Sequence, residues 1–130
     1  MTWRGNSIKL KLPGEFNIMN ALAAATFAES RGISAETIKR ALEKFALVHG
    51  RMERVDAGQD FSVVVDYAHT ADSLDRAYNV YNGVKKICLL GGTGGGRDVS
   101  KRKIMGSIAD KHCEHIILTT EDPYDESPED

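Results

Sequence analysis

Short apolar segments alternate with helical patterns in the second half of the chain, and this alternation restricts the possible folds most strongly. Phe61–Val65, Ile87–Leu90 and Ile116–Thr119 carry the β-branched and aliphatic residues that are typical of buried parallel strands. Helical patterns fill the gaps, over about 72–81, where Asp72 or Ser73 is expected to be the cap, and over about 101–112, where Ser100 is expected to be the cap. The order β-α-β-α-β predicts an α/β fold, in which right-handed crossovers join parallel strands.

The first 50 residues have a different pattern. Ser7–Leu12 alternates apolar and polar side chains, which predicts a half-buried strand that ends before Pro13. Phe16–Ser30 is rich in alanine and predicts a helix, and Ser34 is expected to cap a second helix. These elements are too few for a domain, and a parallel sheet normally continues beyond three strands. We therefore expect a piece of a larger protein, with a domain boundary near residues 50–55.

Polar loops follow the three predicted strands, where parallel sheets usually place their binding sites. They are DYAHT (66–70), GGTGGGRD (91–98) and TEDPYDE (120–126). The glycine-rich loop lacks the closing lysine of the G-x-x-x-x-G-K-[ST] phosphate loop, and Arg97 stands where G-x-G-x-x-G requires its last glycine. The spacing leaves two alternatives, an anion site before a helix or a flexible loop. If the loop is an anion site, Arg97 would supply a planar guanidinium suited to a carboxylate or a phosphate.

The other polar motifs have simple structural explanations when each is taken alone. Asp66 and His69 of DYAHT would be a helix-capping aspartate and a surface histidine. The HCEH segment (112–115) offers too few ligands for a tetrahedral zinc site, so we predict no metal ligands there. The acidic segment EDPYDESPED (121–130) is typical of a solvated loop or tail.

Composition excludes several classes of function. The 130 residues carry a formal net charge of -2, which argues against nucleic-acid binding. No apolar run is long enough to span a membrane, and the N-terminus lacks the apolar core of a signal peptide. Cys88 and Cys113 form no C-x-x-C pair and are expected to be reduced structural thiols. We therefore expect a cytoplasmic protein with neither a membrane nor a nucleic-acid partner.

Five motifs stand in an order that resembles the Mur ligase family: PGEFNIMNALAA, GRMERV, VVVDYAHTADSL, GGTGGGRDVSKRKIMGSIA and TTEDPYDESP. The resemblance is greatest to the UDP-N-acetylmuramoyl-tripeptide synthetase branch, whose members use ATP to add an amino acid to a UDP-N-acetylmuramoyl peptide in peptidoglycan synthesis. It implies that residues 1–52 are the helical end of a central ATPase domain and that residues 53–130 begin a Rossmann-like C-terminal domain. It also implies ATP and Mg²⁺ as cofactors, with most of their ligands outside this chain, and an acyl phosphate intermediate.

The resemblance further implies roles for individual residues. Asn17 and Asn20 match asparagines near the adenine, and a carboxamide can both donate to and accept from an adenine edge. Arg51 and Asp66 match residues that contact the nucleotide from the C-terminal side. His69 lies where its loop could approach the phosphates, and it is the one candidate for a catalytic residue.

At the amino-acid end, Arg97 resembles the family arginine that holds the carboxylate of the incoming amino acid. The last loop departs from the family pattern: relatives that add diaminopimelate carry D-N-P-R, and here Asp122 and Tyr124 replace the asparagine and the arginine. Tyrosine cannot form a bidentate ion pair with a distal carboxylate, and the carboxylate of Asp122 would favour a cation. We therefore predict a preference for lysine or another amine-bearing amino acid over meso-diaminopimelate.

Two alternatives stay open. A folylpolyglutamate- or cyanophycin-synthetase-like ligase would share the F-N-x-x-N-A and D-Y-A-H motifs, and a non-catalytic binding module could keep the fold without the ATPase. The 130 residues contain neither the G-T-x-G-K-T phosphate loop of the family nor its carbamylated lysine and UDP-binding domain. We therefore expect this chain alone to have no ligase activity.

Overall fold

The structure is a computed structural model, and it describes residues 1–127. The helices are α1 (Glu15–Ser30), α2 (Ala35–Lys44), α3 (Ala71–Asn79) and α4 (Ser100–His112). The strands are β1 (Thr2–Trp3), β2 (Asn6–Ser7), β3 (Glu53–Val55), β4 (Val63–Val65), β5 (Ile87–Thr93) and β6 (His115–Glu121). The chain divides into two compact units, Met1–Tyr67 and the residues from Ala68 onward. Within residues 1–127 no helix is long and apolar enough to cross a membrane.

A small apolar core holds α1, α2 and the β1–β2 hairpin together in the first unit. Its buried members are Trp3, Ile8, Ala25 and Ile38. Ile8 is only 1% exposed, so its side chain contributes about 2 kcal/mol of hydrophobic stabilisation. Ser34 caps α2 as predicted, because its hydroxyl accepts a hydrogen bond from the backbone N–H of Thr37.

The strand predicted over Ser7–Leu12 is wrong, although the burial of Ile8 agrees with its alternating pattern. Strand pairing ends at Ser7. Ile8 still exchanges two hydrogen bonds with Met1, and the backbone on either side of Ile8 binds side chains of α2. Glu43 accepts a hydrogen bond from the N–H of Lys9, and the Lys39 ammonium donates to the Ser7 carbonyl.

β3 and β4 form an antiparallel pair, in which Glu53 lies opposite Val65 and Val55 opposite Val63. The parallel strand predicted at Phe61–Val65 is therefore wrong in its extent and in the direction of its pairing. Three successive valines suit either kind of sheet, and the partner strand Glu53–Val55 has no strand pattern of its own. The sequence could not reveal the antiparallel hairpin for that reason.

The second unit contains the parallel sheet that the sequence predicts. β5 and β6 pair in parallel, from Ile87 opposite His115 to Thr93 opposite Glu121, and α4 forms the crossover between them. The α/β class is thus confirmed, with two parallel strands where three were predicted. The buried hydrophobic residues of this unit are Leu74, Cys88, Met105 and Ala109.

Both helices of this unit begin differently from the prediction. Thr70, rather than Asp72 or Ser73, caps α3, and Ser73 completes a reciprocal capping box with it. Ser100 is the first residue of α4 rather than its cap. Its N–H and hydroxyl both donate to the Asp98 carboxylate, which therefore satisfies the start of the helix.

Candidate functional site

The two asparagines predicted to lie near an adenine stand on the first turns of α1. The Asn17 side chain donates from Nδ2 to the Pro13 carbonyl at 2.6 Å and accepts from Asn20 Nδ2 at 3.3 Å. Asn17 is therefore occupied in holding the start of the helix, whereas Asn20 is exposed and retains its oxygen for a ligand. Within residues 1–67 no hydrogen bond joins either asparagine to Arg51 or Asp66.

Arg51 and Asp66 are brought together by the turn that precedes β3. Asp66 Oδ2 accepts from the backbone N–H of Met52 at 2.7 Å, and the N–H of Tyr67 donates to the Gly50 carbonyl at 2.8 Å. Met52 is buried and has a φ of 49°, a left-handed conformation that is uncommon outside glycine. One carboxylate oxygen of Asp66 thus holds a turn that contains a left-handed residue.

The Arg51 side chain leaves this turn on the exposed side. Its guanidinium carbon lies 4.9 Å from the centroid of the Tyr67 ring, a cation–π distance. This contact restricts the position of the cation without neutralising its charge. Arg51 is consequently prearranged for an anionic ligand.

Glu53 supports the same turn, and the sequence analysis did not identify it. Its carboxylate accepts from the Gly50 N–H at 2.8 Å and contacts His49 Nδ1 at 3.1 Å. The hydrogen bond from Gly50, followed by the one from His49, lowers the pKa of the Glu53 carboxyl below its usual value. The only signal in the sequence was its place within GRMERV, where Arg51 alone was singled out.

We expect the stability of Glu53→Gln to fall less at acidic pH than the stability of the parent protein does. The ionised carboxylate stabilises the fold above its ordinary pKa of about 4.3, and this contribution is lost as the pH falls through the lower folded-state pKa. Unfolding temperatures measured from about pH 7 to about pH 3 should therefore fall less in the variant than in the parent. Asp60→Asn, at an exposed carboxylate with no partner among residues 1–127, is the control. The prediction is wrong if the unfolding temperatures of Glu53→Gln and the parent fall equally as the pH is lowered.

His69 lies beside the start of α4. It is exposed, it directly precedes the cap of α3, and its carbonyl accepts a hydrogen bond from Lys101 Nζ at 3.1 Å. Lys101 belongs to the first turn of α4, so this bond joins the starts of the two helices at one end of the second unit. The DYAHT loop is thus connected to the first turn of α4, which directly follows the GGTGGGRD loop.

Arg97 is exposed on an anchored piece of backbone. The N–H of Gly96 on one side donates to the Glu126 carboxylate, and Asp98 on the other side is bound to Ser100. Within residues 1–127 the Arg97 guanidinium has neither an ion pair nor a hydrogen bond. It is therefore available for a carboxylate or a phosphate, as its planar fork suggests.

The last loop, residues 122–127, packs directly on the glycine loop. The N–H of Gly94 donates to the Asp122 carbonyl at 3.1 Å. Asp122 and Tyr124 have φ values of 28° and 56°, and both side chains are exposed. The three residues predicted to meet the amino acid, Arg97, Asp122 and Tyr124, are thus carried by two loops in mutual contact.

Close contact between these loops explains two of the glycines. A Cβ on Gly94 would lie 2.3 Å from the Pro123 carbonyl oxygen, and one on Gly95 would lie 2.8 Å from Cδ2 of Tyr124. Gly95 also has a φ of 73°, which disfavours any side chain. Glycine is required at 94 and 95 because the neighbouring loop passes there.

The HCEH segment has structural roles. His112 Nε2 lies 2.8 Å from Asp75 Oδ1, and its ring centroid is 5.7 Å from that of Tyr78. Cys88 and Cys113 are free thiols, and burial, reinforced by the neighbouring Cys88, raises the pKa of Cys113 to about 11. Both observations agree with structural thiols, and the Cys113 thiol stays protonated at neutral pH.

Metal ligands are not clustered in the part of the chain that the structure describes. No group of three or more His, Cys, Asp or Glu residues within 1–127 could hold an ion. The residues present therefore do not fit a Mg²⁺ site of their own.

Two open cavities of about 400 and 350 Å³ lie elsewhere. One is at the β3–β4 hairpin loop and the other is beside residues 82–86, and neither includes a predicted site residue.

Comparison with known proteins assigns the family. The sequence profile described as "Mur ligase, glutamate ligase domain" matches residues 50–130, which is more than half of the chain. The chain belongs to the Mur ligase family. Its two strand-end loops, with Arg97 on one and Asp122 and Tyr124 on the other, lie inside the matched region of this family.

Individual relatives agree with the Mur ligase assignment. The chain is 46% identical over 123 residues to the UDP-N-acetylmuramoyl-L-alanyl-D-glutamate–2,6-diaminopimelate ligase of Syntrophomonas wolfei, covering 93% of this chain and 25% of that protein. It is 41% identical over 123 residues to the UDP-N-acetylmuramyl-tripeptide synthetase of a Roseiflexus species, with 93% and 24% covered. A solved diaminopimelate ligase structure matches with 31% identity and a TM-score of 0.57, over 94% of this chain and 25% of that one. The chain thus spans about a quarter of the length of the relatives it matches.

Proposed function

We propose that this chain is part of an ATP-dependent ligase that adds an amino acid to UDP-N-acetylmuramoyl-dipeptide through an acyl phosphate. The observation that carries the proposal is an exposed, unpaired Arg97 on an anchored loop within the Mur ligase region. A guanidinium in that state suits the α-carboxylate of an incoming amino acid, because it can form two parallel hydrogen bonds without losing an existing partner. The names of the relatives support the same reaction class.

The first unit would supply nucleotide contacts. Asn20 offers a carboxamide for the adenine, with Asn17 behind it. Arg51, restricted by the Tyr67 ring, would contact the phosphates, and Asp66 Oδ1 the ribose. His69 would approach the phosphates from the loop before α3. ATP and Mg²⁺ are the proposed cofactors, and residues outside this chain would bind the metal.

The organisation of the whole protein follows from the same proposal. Residues 1–52 would end a central ATP-binding domain, and residues 53–130 would begin the amino-acid-binding C-terminal domain. The complete enzyme would act in the cytoplasm, where its nucleotide-linked substrate is made. The 130 residues alone would have no turnover, because their sequence holds no phosphate loop and residues 1–127 form no metal site.

The amino acid added is proposed to be lysine or another amine-bearing residue. Tyr124 is 69% exposed and cannot form the bidentate pair that a distal carboxylate requires, and the exposed Asp122 carboxylate would attract an ammonium group. The relatives named as diaminopimelate ligases supply the competing expectation. The two expectations predict opposite preferences between lysine and meso-diaminopimelate, and one assay can measure that preference.

An assay with the purified complete ligase decides between them. ATP, UDP-N-acetylmuramoyl-dipeptide and either L-lysine or meso-diaminopimelate are supplied, and amide product and ADP are quantified. We expect kcat/KM to be at least about tenfold higher with lysine. A preference for diaminopimelate would refute the specificity but leave the ligase activity standing. Formation of neither amide nor ADP would refute the ligase itself.

A further inference from the structure

Glu126 joins three segments of the second unit through one carboxylate. Oε2 lies 2.5 Å from Nη2 of Arg102 in the first turn of α4, and Oε1 accepts from the Gly96 N–H at 3.4 Å. The side chains of Arg102 and Glu126 are 34% and 26% exposed, so the pair is partly shielded from water. The glycine loop, α4 and the last loop are thereby connected at a single point.

This point lies next to Arg97 along the chain. The N–H held by Glu126 belongs to Gly96, and the next anchor on the other side of Arg97 is Asp98, bound to Ser100. The same loop pair is joined again by the Gly94 N–H and the Asp122 carbonyl. The position of Arg97 relative to Asp122 and Tyr124 therefore depends on contacts in which Glu126 is central.

We propose that Glu126 is a positioning residue for the amino-acid end of the site, which holds Arg97 in place without touching the substrate. The inference rests on the proposed function. Glu126 would have a second effect, because its bond to Arg102 engages a guanidinium only five residues from Arg97. Loss of Glu126 would release that cation and offer a carboxylate substrate a competing, misplaced partner.

Electrostatics agree with this role. The hydrogen bond from Arg102 lowers the pKa of the Glu126 carboxyl, and the Gly96 N–H adds to this effect. Glu126 is consequently ionised at neutral pH, and the Arg102 pair is charge-assisted. The sequence analysis placed Glu126 in an acidic, solvated segment, because only the fold reveals its partners.

The test compares Glu126→Ala with Asp125→Ala in the complete ligase. Asp125 is exposed, carries the same charge and has no partner among residues 1–127, so it is a matched control. We expect Glu126→Ala to raise the KM for the amino acid about tenfold, with the KM for ATP unchanged and Asp125→Ala like the parent. Glu126→Gln, which can still accept from Gly96, should recover part of the loss. In ¹⁵N-glycine-labelled protein, the Gly96 amide resonance should shift in Glu126→Ala and stay in Asp125→Ala.

The outcomes separate this inference from the function on which it rests. An active parent whose amino-acid KM is the same in Glu126→Ala would overturn the positioning role alone. An equal rise in the KM values for ATP and amino acid would also overturn it, because that result indicates general damage to the fold. An inactive parent would overturn the proposed function and this inference together. Should Glu126→Ala fail to fold, Glu126→Gln with the parent unfolding temperature and the parent KM would still refute it.

Discussion

Arg97→Ala is expected to raise the KM for the amino-acid substrate about a hundredfold, equivalent to about 3 kcal/mol of binding free energy. The side chain is exposed and has no partner among residues 1–127, so its removal should cost the fold little. Its effect should therefore appear in substrate binding and not in the unfolding temperature. Steady-state kinetics with the amino acid varied at saturating ATP measures the change.

Two further variants make the Arg97 result specific. Arg97→Lys keeps the charge but loses the bidentate geometry, and it should recover only part of the affinity. Lys103→Ala removes another exposed cation from the same helix region and should behave like the parent. A KM for ATP that rises as much as the KM for the amino acid would instead place Arg97 at the nucleotide.

Gly94→Ala should destabilise the second unit by about 3 kcal/mol. Gly94 is buried, and the added methyl group would lie 2.3 Å from the Pro123 carbonyl oxygen and 3.0 Å from Cδ of Glu126. Backbone at Pro123 must move to relieve this overlap, which would also break the bond between the Gly94 N–H and the Asp122 carbonyl. Denaturant unfolding followed by circular dichroism measures the loss.

Gly92→Ala is the matched control for this prediction. Gly92 lies in β5, two residues before Gly94, and an added Cβ would meet only the Arg102 side chain, at 3.7 Å from Nε. Neither glycine has a positive φ, so the two substitutions differ in their contacts and not in backbone strain. We expect Gly92→Ala to change the free energy of unfolding by less than about 0.5 kcal/mol. Equal destabilisation by both alanines would show that the close approach of the last loop is not the cause.

The sequence predicted the helices well because their signals are local. The pattern that predicted a helix over Phe16–Ser30 corresponds to α1, and the serine at 34 was recognised as a cap from its chemistry alone. The caps of α3 and α4 were missed by one to three residues, because good capping residues stand close together at each start: Thr70, Asp72 and Ser73 at α3, and Asp98 and Ser100 at α4. A local rule cannot choose among them.

Strand partners were harder to predict because pairing is not local. Val63–Val65 was correctly recognised as a strand, but its antiparallel partner is the charged segment Glu53–Val55. The parallel pair of β5 and β6 was predictable because α4 between them demands a crossover on one side of the sheet. The same reasoning applied to α3 predicted a parallel partner for β4, and there it failed, because β4 pairs with β3 instead.

By itself, the sequence determined the α/β class, the four helices and the loops that carry Arg97, Asp122 and Tyr124. These properties depend on short-range patterns and on side-chain chemistry, both of which are present in the sequence before the chain folds. Only the tertiary structure decided that Glu126 and Arg102 form a partly shielded pair and that Asp66 supports the turn at Met52. Those contacts join residues 24 and 14 positions apart, and their geometry exists only after the chain has folded.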